Sequence, residues 1–286
     1  MMPKVSIIFP TFNGLEDTRE CLFSITKLRY PKSKMEVIII DNGSTDNTIP
    51  FIRKNFPWVK IFVQKKNFGF AKAVNLGIER SNGEYLLITN NDVIFEKNYL
   101  VNLVIFLQKN PKVGIVGGKI YYKHPKNKVA FSGAKFNFYT GLLSLNKKPN
   151  KVCETDWNPG CNMFVKKKVF DKIGQFDEKF FFYFEDLDFC LRAKRAGYQV
   201  IYHPRAILWH GEGASINRQN WQKKSEFYYQ GKTRVLFKHA TKIQLVSSLL
   251  FQFSFGLAYQ LFILKHQNYT PAIQALAENV GRQRLK

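Results

Sequence analysis

Acidic residues are scarce in this 286-residue chain: 21 Asp and Glu stand against 44 Lys and Arg, a formal net charge of +23. A field of that sign attracts polyanions, namely nucleic acid, anionic lipid or phosphorylated substrates. Cysteine is sparse as well. Cys21, Cys153, Cys161 and Cys190 are widely spaced and form no Cys-x-x-Cys. That leaves zinc ribbons, thioredoxin-like redox motifs and a disulfide framework without support, and it fits a reducing compartment. The N-terminus meets a turn at Pro10 to Gly14 before any apolar run reaches signal-peptide length, so the bulk of the protein is expected in the cytoplasm. No Gly-x-Gly-x-x-Gly follows the first apolar run, which disfavours an NAD dehydrogenase. Helix-turn-helix, zinc-finger and RNP patterns are missing, and the basic residues are spread along the chain, so no nucleic-acid partner is expected. Internal repeats and low-complexity linkers are absent.

What is present is an ordinary globular balance, 45% hydrophobic and 23% charged, enough for one large α/β domain with a tail. Short continuous apolar runs at Val5 to Pro10, Met35 to Ile40, Val59 to Val63 and Tyr85 to Thr89 read as buried strands. Helical spacing separates them at Asp17 to Leu28, Thr48 to Asn55 and Phe70 to Arg80. Such alternation predicts a doubly wound, mostly parallel sheet flanked by helices. Ligands of such sheets bind beyond the carboxyl ends of the strands. Three of those ends carry polar turn sequence: Thr11 to Gly14, Asp41 to Asp46 and Asn90 to Asp92.

After a helix over Asn98 to Lys109 the pattern turns irregular. Val113 to Tyr122, Val129 to Leu143 and Tyr198 to His210 read as strands, and Phe180 to Gly197 holds an acidic patch, Glu185, Asp186 and Asp188. The segment Ile243 to Leu264 carries no charge and is flanked by Lys238, Lys242 and Lys265. As a helix it would be just long enough to cross a bilayer, at about 1.5 Å per residue. Yet Gln244, Ser248, Gln252, Gly256 and Gln260 recur every fourth residue and draw a polar or small stripe. A helix lying in an anionic membrane interface, or docked on the domain, accounts for that stripe better than an isolated span. The expected division is therefore 1–240 as the α/β domain, with halves 1–97 and 98–240, and 241–286 as a helical tail.

The ordered motifs Val5 to Gly14, Glu36 to Asp46, Asn67 to Asn75, Asn90 to Val93 and Phe184 to Arg192 resemble, as a set, the family 2 glycosyltransferases. Within them the chain looks most like rhamnosyltransferase-like enzymes of bacteria and archaea, over about residues 3 to 240. The resemblance implies a GT-A fold and an inverting transfer of sugar from a nucleoside-diphosphate sugar to a hydroxyl of a lipid-linked or polysaccharide acceptor. The N-terminus, the basic charge and the apolar segment Ile243 to Leu264 together lead to the expectation that this transfer takes place at the cytoplasmic face of a membrane.

The same resemblance implies roles for single residues. Asp41 would accept hydrogen bonds from the nucleobase or ribose, with Pro10, Thr11 and Asn13 as the adjacent wall; the same residues are also good turn chemistry without a ligand. Asn67, Gly69 and Lys72 would border the nucleotide, with Lys72 toward phosphate. Asn90, Asn91 and Asp92 stand where the family carries Asp-x-Asp. Asp92 would hold a divalent metal, Mg²⁺ or Mn²⁺, against the diphosphate, and Asn90 lowers the charge of that site. His210 could complete the metal site or simply end a strand. Asp186 would be the general base, with Glu185 beside it, whereas Asp188 and Arg192 are spaced to pair along a helix. Trp157, Gly160, Cys161 and Asn162 would shape the acceptor side, although a tryptophan is more often a core residue. His203 reads as structural. The competing readings are a basic, non-catalytic nucleic-acid- or membrane-binding protein, and a metal-dependent nucleotidyltransferase. Against the latter, Pro10 to Gly14 makes a poor triphosphate cradle.

Overall fold

A computed structural model describes residues 2–211 and 221–263. The first half alternates as the apolar runs require: β1 (Val5–Thr11), α1 (Leu15–Thr26), β2 (Met35–Asp41), α2 (Thr48–Asn55), β3 (Lys60–Val63), α3 (Phe70–Glu79) and β4 (Tyr85–Thr89). β1 pairs in parallel with β2 and β4, and β2 with β3. Successive side chains leave the sheet on opposite faces. Ile7 and Phe9 therefore enter one core with Cys21, Leu22 and Ile25 of α1. Ile8, Ile38 and Ile40 enter the other with Ala71, Val74 and Ile78 of α3. Each such side chain, removed from water, contributes about 1.5–3 kcal/mol.

The second half runs β5 (Val93–Phe95), α4 (Tyr99–Lys109), β6 (Val113–Tyr122), β7 (Val129–Phe131), β8 (Ala134–Asn137), β9 (Leu142–Leu145), β10 (Cys153–Glu154), β11 (Asn162–Lys166), α5 (Lys167–Ile173), α6 (Glu185–Arg195), β12 (Gln199–His210), α7 (Trp221–His239) and α8 (Lys242–Ile263). The main sheet has the order β10-β12-β6-β11-β4-β1-β2-β3, with β5 on β12 and β7 on β6. The expected doubly wound pattern is thus mixed in this half. β11 lies antiparallel between β4 and β6, and β12 is parallel to β6. Because β11 opposes both neighbours, β6 and β12 point the same way as β4 and β1. The carboxyl ends at Thr11, Asp41, Thr89 and His210 consequently collect along one edge, together with the loop that enters β11. The stretch Val129 to Leu143 breaks near its glycines, Gly133 and Gly141: β7 joins the main sheet, while β8 and β9 form a hairpin of their own.

α8 follows the uncharged segment closely. Ser247 Oγ donates to the Tyr139 carbonyl at 3.1 Å, and Ser248 is buried. Leu245 packs with Phe136, Leu187, Val235 and Leu236. Among the described residues no helix is long and apolar enough to cross a membrane. The side chains of Gly256 and Gln260, and Lys265, lie outside the described ones.

Candidate active site

The end of β1 is fastened inward. Thr11 Oγ1 lies 3.0 Å from Thr18 Oγ1 of α1, and Asn91 Nδ2 donates to both hydroxyls, at 3.3 and 3.1 Å. Thr11 and Asn91 therefore tie the exit of β4 to the start of α1, beside the half-buried Pro10. Asn13 is exposed, with φ +48, and its Oδ1 accepts from the Thr45 amide at 2.8 Å. Asp41 is buried, and its carboxylate accepts from the Ser44 amide at 3.0 Å and from the Ser44 hydroxyl. Each of its oxygens thus accepts one bond within the turn and keeps a second lone pair for another donor.

Asn67 Oδ1 accepts from the Gly69 amide at 2.8 Å. Gly69 has φ +84, and a Cβ on it would overlap the Phe181 carbonyl oxygen. Lys72 is exposed, 3.8 Å from Glu178 and above the Phe68 ring. A cavity of about 160 Å³ is lined by Asn42, Phe68, Lys72 and Glu178 among others; neither Asp92 nor Asp186 borders it.

Asp92 follows β4 directly. β5 pairs antiparallel with the end of β12, setting His210 opposite Val93. His210 Nε2 thereby comes within 3.1 Å of Asp92 Oδ1, and the Asn90 amide nitrogen lies 3.4 Å from the same Nε2. Burial pushes the Asp92 carboxyl up, but His210 and, further off, Lys123 outweigh it and hold the group below its ordinary value. Asp92 Oδ1 is buried without a partner of full hydrogen-bond geometry, despite the nearby imidazole. An unsatisfied carboxylate oxygen beside an imidazole nitrogen is costly to bury empty-handed. The pair suits a divalent cation whose other positions are filled by phosphate oxygen and water. Among the described residues no cluster of three or more His, Cys, Asp or Glu is arranged for a metal.

The second acidic group sits at the start of α6. Tyr183 and Phe184 both lie in the left-handed region, at φ +69 and +70, a conformation non-glycine residues adopt at a cost. The turn is clamped from two sides. The Phe70 amide of α3 donates to the Phe181 carbonyl at 3.0 Å, and the ring of Phe227 on α7 stacks on Phe181 at 4.9 Å. Gly231 of α7 packs so closely that a Cβ would come 2.6 Å from the Tyr183 carbonyl oxygen.

Glu185, Asp186 and Asp188, which follow the turn, are buried rather than solvated. Asp186 Oδ2 accepts from the Gly160 amide at 2.8 Å and Oδ1 from its neighbour Leu187 at 2.7 Å. Burial raises the Asp186 carboxyl above its ordinary value, against these amides and the nearby Trp157 indole. Trp157 Nε1 is itself buried without a partner of full hydrogen-bond geometry, so its restraint on Asp186 is the weaker one. Burial, then the charge of Asp186, push the Glu185 carboxyl well up, and Glu185 Oε2 has no partner.

The two acidic groups are connected through the end of β4. Gly160, whose amide holds Asp186, precedes Cys161, whose carbonyl accepts from Thr89 Oγ1 at 2.9 Å, and Asp92 follows Thr89 three residues later. Trp157 is half-buried, its ring edge-on to Phe131. Asn162 departs from its expected place on the acceptor side. Its Oδ1 accepts from the Tyr99 hydroxyl and the Gly118 amide, and its Nδ2 donates to the Gly118 carbonyl, each at 2.7 Å. It is fully buried with its polar atoms engaged in the sheet, because it opens β11 where that strand pairs with β4.

Asp188 pairs with Arg192 at 2.8 Å, as the helical spacing predicts. It also meets Lys238 Nζ at 2.9 Å and His239 Nε2 at 2.7 Å, both from α7. Burial raises the Asp188 carboxyl, but His239, Lys238 and Arg192 together hold it far below the carboxylate range. No pattern in the sequence announces these two α7 partners. His203 stays in a structural setting, 4.7 Å from the Phe106 ring.

This fold is shared with known proteins. A mannosyltransferase from Pyrobaculum calidifontis, solved with GDP-Man and Mn²⁺, superposes with a TM-score of 0.64 at 20% identity, over 98% of this chain and 80% of that one. TarS of S. aureus superposes at 0.62 with 18% identity, over 90% of this chain and 74% of that one. In sequence, the glycosyltransferase AglE of Haloferax volcanii is 29% identical over 215 residues, which are 73% of this chain and 67% of AglE. Poly-beta-1,6-N-acetyl-D-glucosamine synthase of Staphylococcus epidermidis is 27% identical over 72% of this chain but only 49% of its own length. The chain thus spans about half to two thirds of these relatives. The sequence model described as Glycosyl transferase family 2 matches residues 6–174, more than half of the protein. The chain belongs to glycosyl transferase family 2.

Proposed function

We propose that the protein transfers a hexosyl unit, with inversion, from a nucleoside-diphosphate sugar to a hydroxyl of a lipid-linked or polysaccharide acceptor at the cytoplasmic face of a membrane. The observation that carries this reading is that two unlike carboxylates are both tied to the end of β4, Asp92 directly and Asp186 through Gly160 and Cys161. Asp92 is held ionised beside His210, and Asp186 is raised by burial. Titratable groups whose surroundings push them apart divide the work of binding charge and moving protons.

Asp92 and His210 would hold Mg²⁺ or Mn²⁺, which when bound would supply charge neutralisation for the departing diphosphate. Asp186, raised toward the working range of a base, takes the proton from the acceptor hydroxyl as its oxygen attacks the anomeric carbon. The bond from that carbon to the diphosphate oxygen breaks in the same displacement, which inverts the centre. Glu185, its carboxyl pushed up by burial and then by the charge of Asp186, resists ionising beside it. Gly160 fixes Asp186 through its amide. Trp157 and Cys161 shape the acceptor side, and Pro10, Asn13, Asp41, Asn67, Gly69, Lys72 and Asn90 border the donor. Residues 1–240 form the catalytic unit and 241–286 its tail. A glycan acceptor is supported by the relative named as a poly-N-acetylglucosamine synthase, and a membrane location by the net charge of +23.

The test is a thermal-shift screen of nucleotide sugars, thymidine-diphosphate rhamnose and the UDP- and GDP-hexoses among them, with and without Mn²⁺. A donor present at about a hundred times its Kd stabilises the fold by about 2.7 kcal/mol. Failure of every nucleotide sugar to raise Tm, with metal present, would overturn the proposal.

A further inference from the structure

α8 is turned inside out relative to an ordinary surface helix. Its polar stripe faces the protein. Ser248 is fully buried, Gln252 Nε2 donates to Ser248 Oγ at 2.9 Å, and Ser247 holds the Tyr139 carbonyl of the β8–β9 hairpin. Gly141 of that hairpin approaches so near that a Cβ would lie 3.0 Å from Ser248 Oγ. The apolar side points outward: Ile243 is 76% exposed, Val246 56%, Leu250 65% and Phe253 70%. Their spacing of three, four and three residues puts all four on one face. Tyr139 and Leu142 of the adjoining hairpin are also exposed. Single exposed apolar residues are common, but a continuous row opposite a docked polar stripe marks an interaction surface.

We infer that this face lies on an anionic lipid surface, with α8 in the plane of the headgroups. Charge selects the occupant. Ile243 to Leu264 contains no charged residue that could pair with a protein partner. A second copy of the chain would bring another +23 against the first. A bilayer bearing negative headgroups is complementary to that charge, and Lys242 at the start of α8 and Lys147, Lys148 and Lys151 after β9 are exposed to meet it. A helix with one apolar face, unable to cross, binds such a surface parallel to it. The inference gives a definite surface to the membrane location proposed above. It is read without substrate, so its failure leaves the sugar-transfer proposal untouched.

The experiment is co-sedimentation of the full chain with phosphatidylcholine vesicles, with and without phosphatidylglycerol, for the natural sequence and for the double variant Leu250→Glu with Phe253→Glu. Both positions are exposed, so the fold should persist, as a melting curve checks. The natural chain should bind the anionic vesicles, more weakly at high salt, and the double variant roughly tenfold less or worse. No binding to anionic vesicles, or equal binding by the variant, overturns the inference. So does a dimer in plain buffer, seen by light scattering and abolished by the same variant, which would assign the face to a second copy.

Discussion

His210 Nε2 stands 3.1 Å from Asp92 Oδ1, and a three-residue strand, Val93–Phe95, laid against the end of a twelve-residue one brings them together. If that pair grips the cation, Asp92→Ala and His210→Ala should each weaken metal-dependent nucleotide binding at least about tenfold, or about 1.4 kcal/mol. Titration of nucleotide with Mn²⁺ and with a chelator measures it. Variants that keep the natural difference between the two conditions would place the ion elsewhere.

Asp186→Asn keeps the shape of the side chain and its hydrogen bond from Gly160 but cannot take a proton. Transfer should fall by about 10²–10⁴-fold, with donor affinity unchanged. Single-turnover rates beside calorimetric nucleotide binding separate the two. Near-natural turnover would remove Asp186 as base.

Much of the first half was legible because each buried strand is a continuous apolar run. β4 and α2 fall on their expected boundaries, and β1 and β2 extend theirs by a residue to Thr11 and Asp41. In the second half β6 falls on its expected bounds and α4 and β12 start one residue late, but the order of the strands was not legible, because it depends on pairings between distant, short segments. β5 is too short to show a period, yet it carries Asp92 to His210. The acidic motif around Asp186 was visible as composition, and its burial was not. Asp188 shows why: the Arg192 partner follows from helical spacing, while Lys238 and His239 arrive from a helix that no local pattern ties to it. Asn162 was misplaced for the same reason, since its partners Tyr99 and Gly118 lie far off in sequence.

Glu185→Gln should stabilise the fold at neutral pH. Burial holds the Glu185 carboxyl well above its ordinary value. Near pH 4 and below, folded and unfolded chains both carry the proton, taking an unfolded value of about 4.3. As pH rises beyond that, the unfolded chain ionises first and natural stability falls. The glutamine variant escapes that loss. Urea unfolding near pH 4.3 and pH 7.5 should show its advantage growing with pH; a constant difference would contradict the raised carboxyl.

Asp188→Asn should act in the opposite sense. The folded carboxyl is held far below its unfolded value of about 3.9 by His239, Lys238 and Arg192. Its contribution is full above the unfolded value and is lost as pH falls toward the folded one. Removing the charge leaves Arg192 and Lys238 without their shared partner and should cost about 1–3 kcal/mol at pH 7. Stability against pH should then be flatter for the variant below about pH 4. An unchanged acid limb would show that the network is not what titrates.

Gly69→Ala tests the clamp on the turn into α6. With φ +84 and the Phe181 carbonyl in the way of a Cβ, the change should destabilise by about 1–3 kcal/mol. Equilibrium unfolding reads it directly, and a neutral result would mean that the turn yields easily.

The close seat of Gly231 under the Tyr183 carbonyl bears on where the molecule can be cut. The family match ends at residue 174, and a fragment stopping after β12 would retain every strand of the main sheet. Such a fragment would nonetheless leave two left-handed residues unbuttressed and Asp188 without Lys238 and His239. The shortest stable piece therefore reaches through His239, and a fusion partner or affinity tag attached before that point would strip the turn that carries Asp186 of its support.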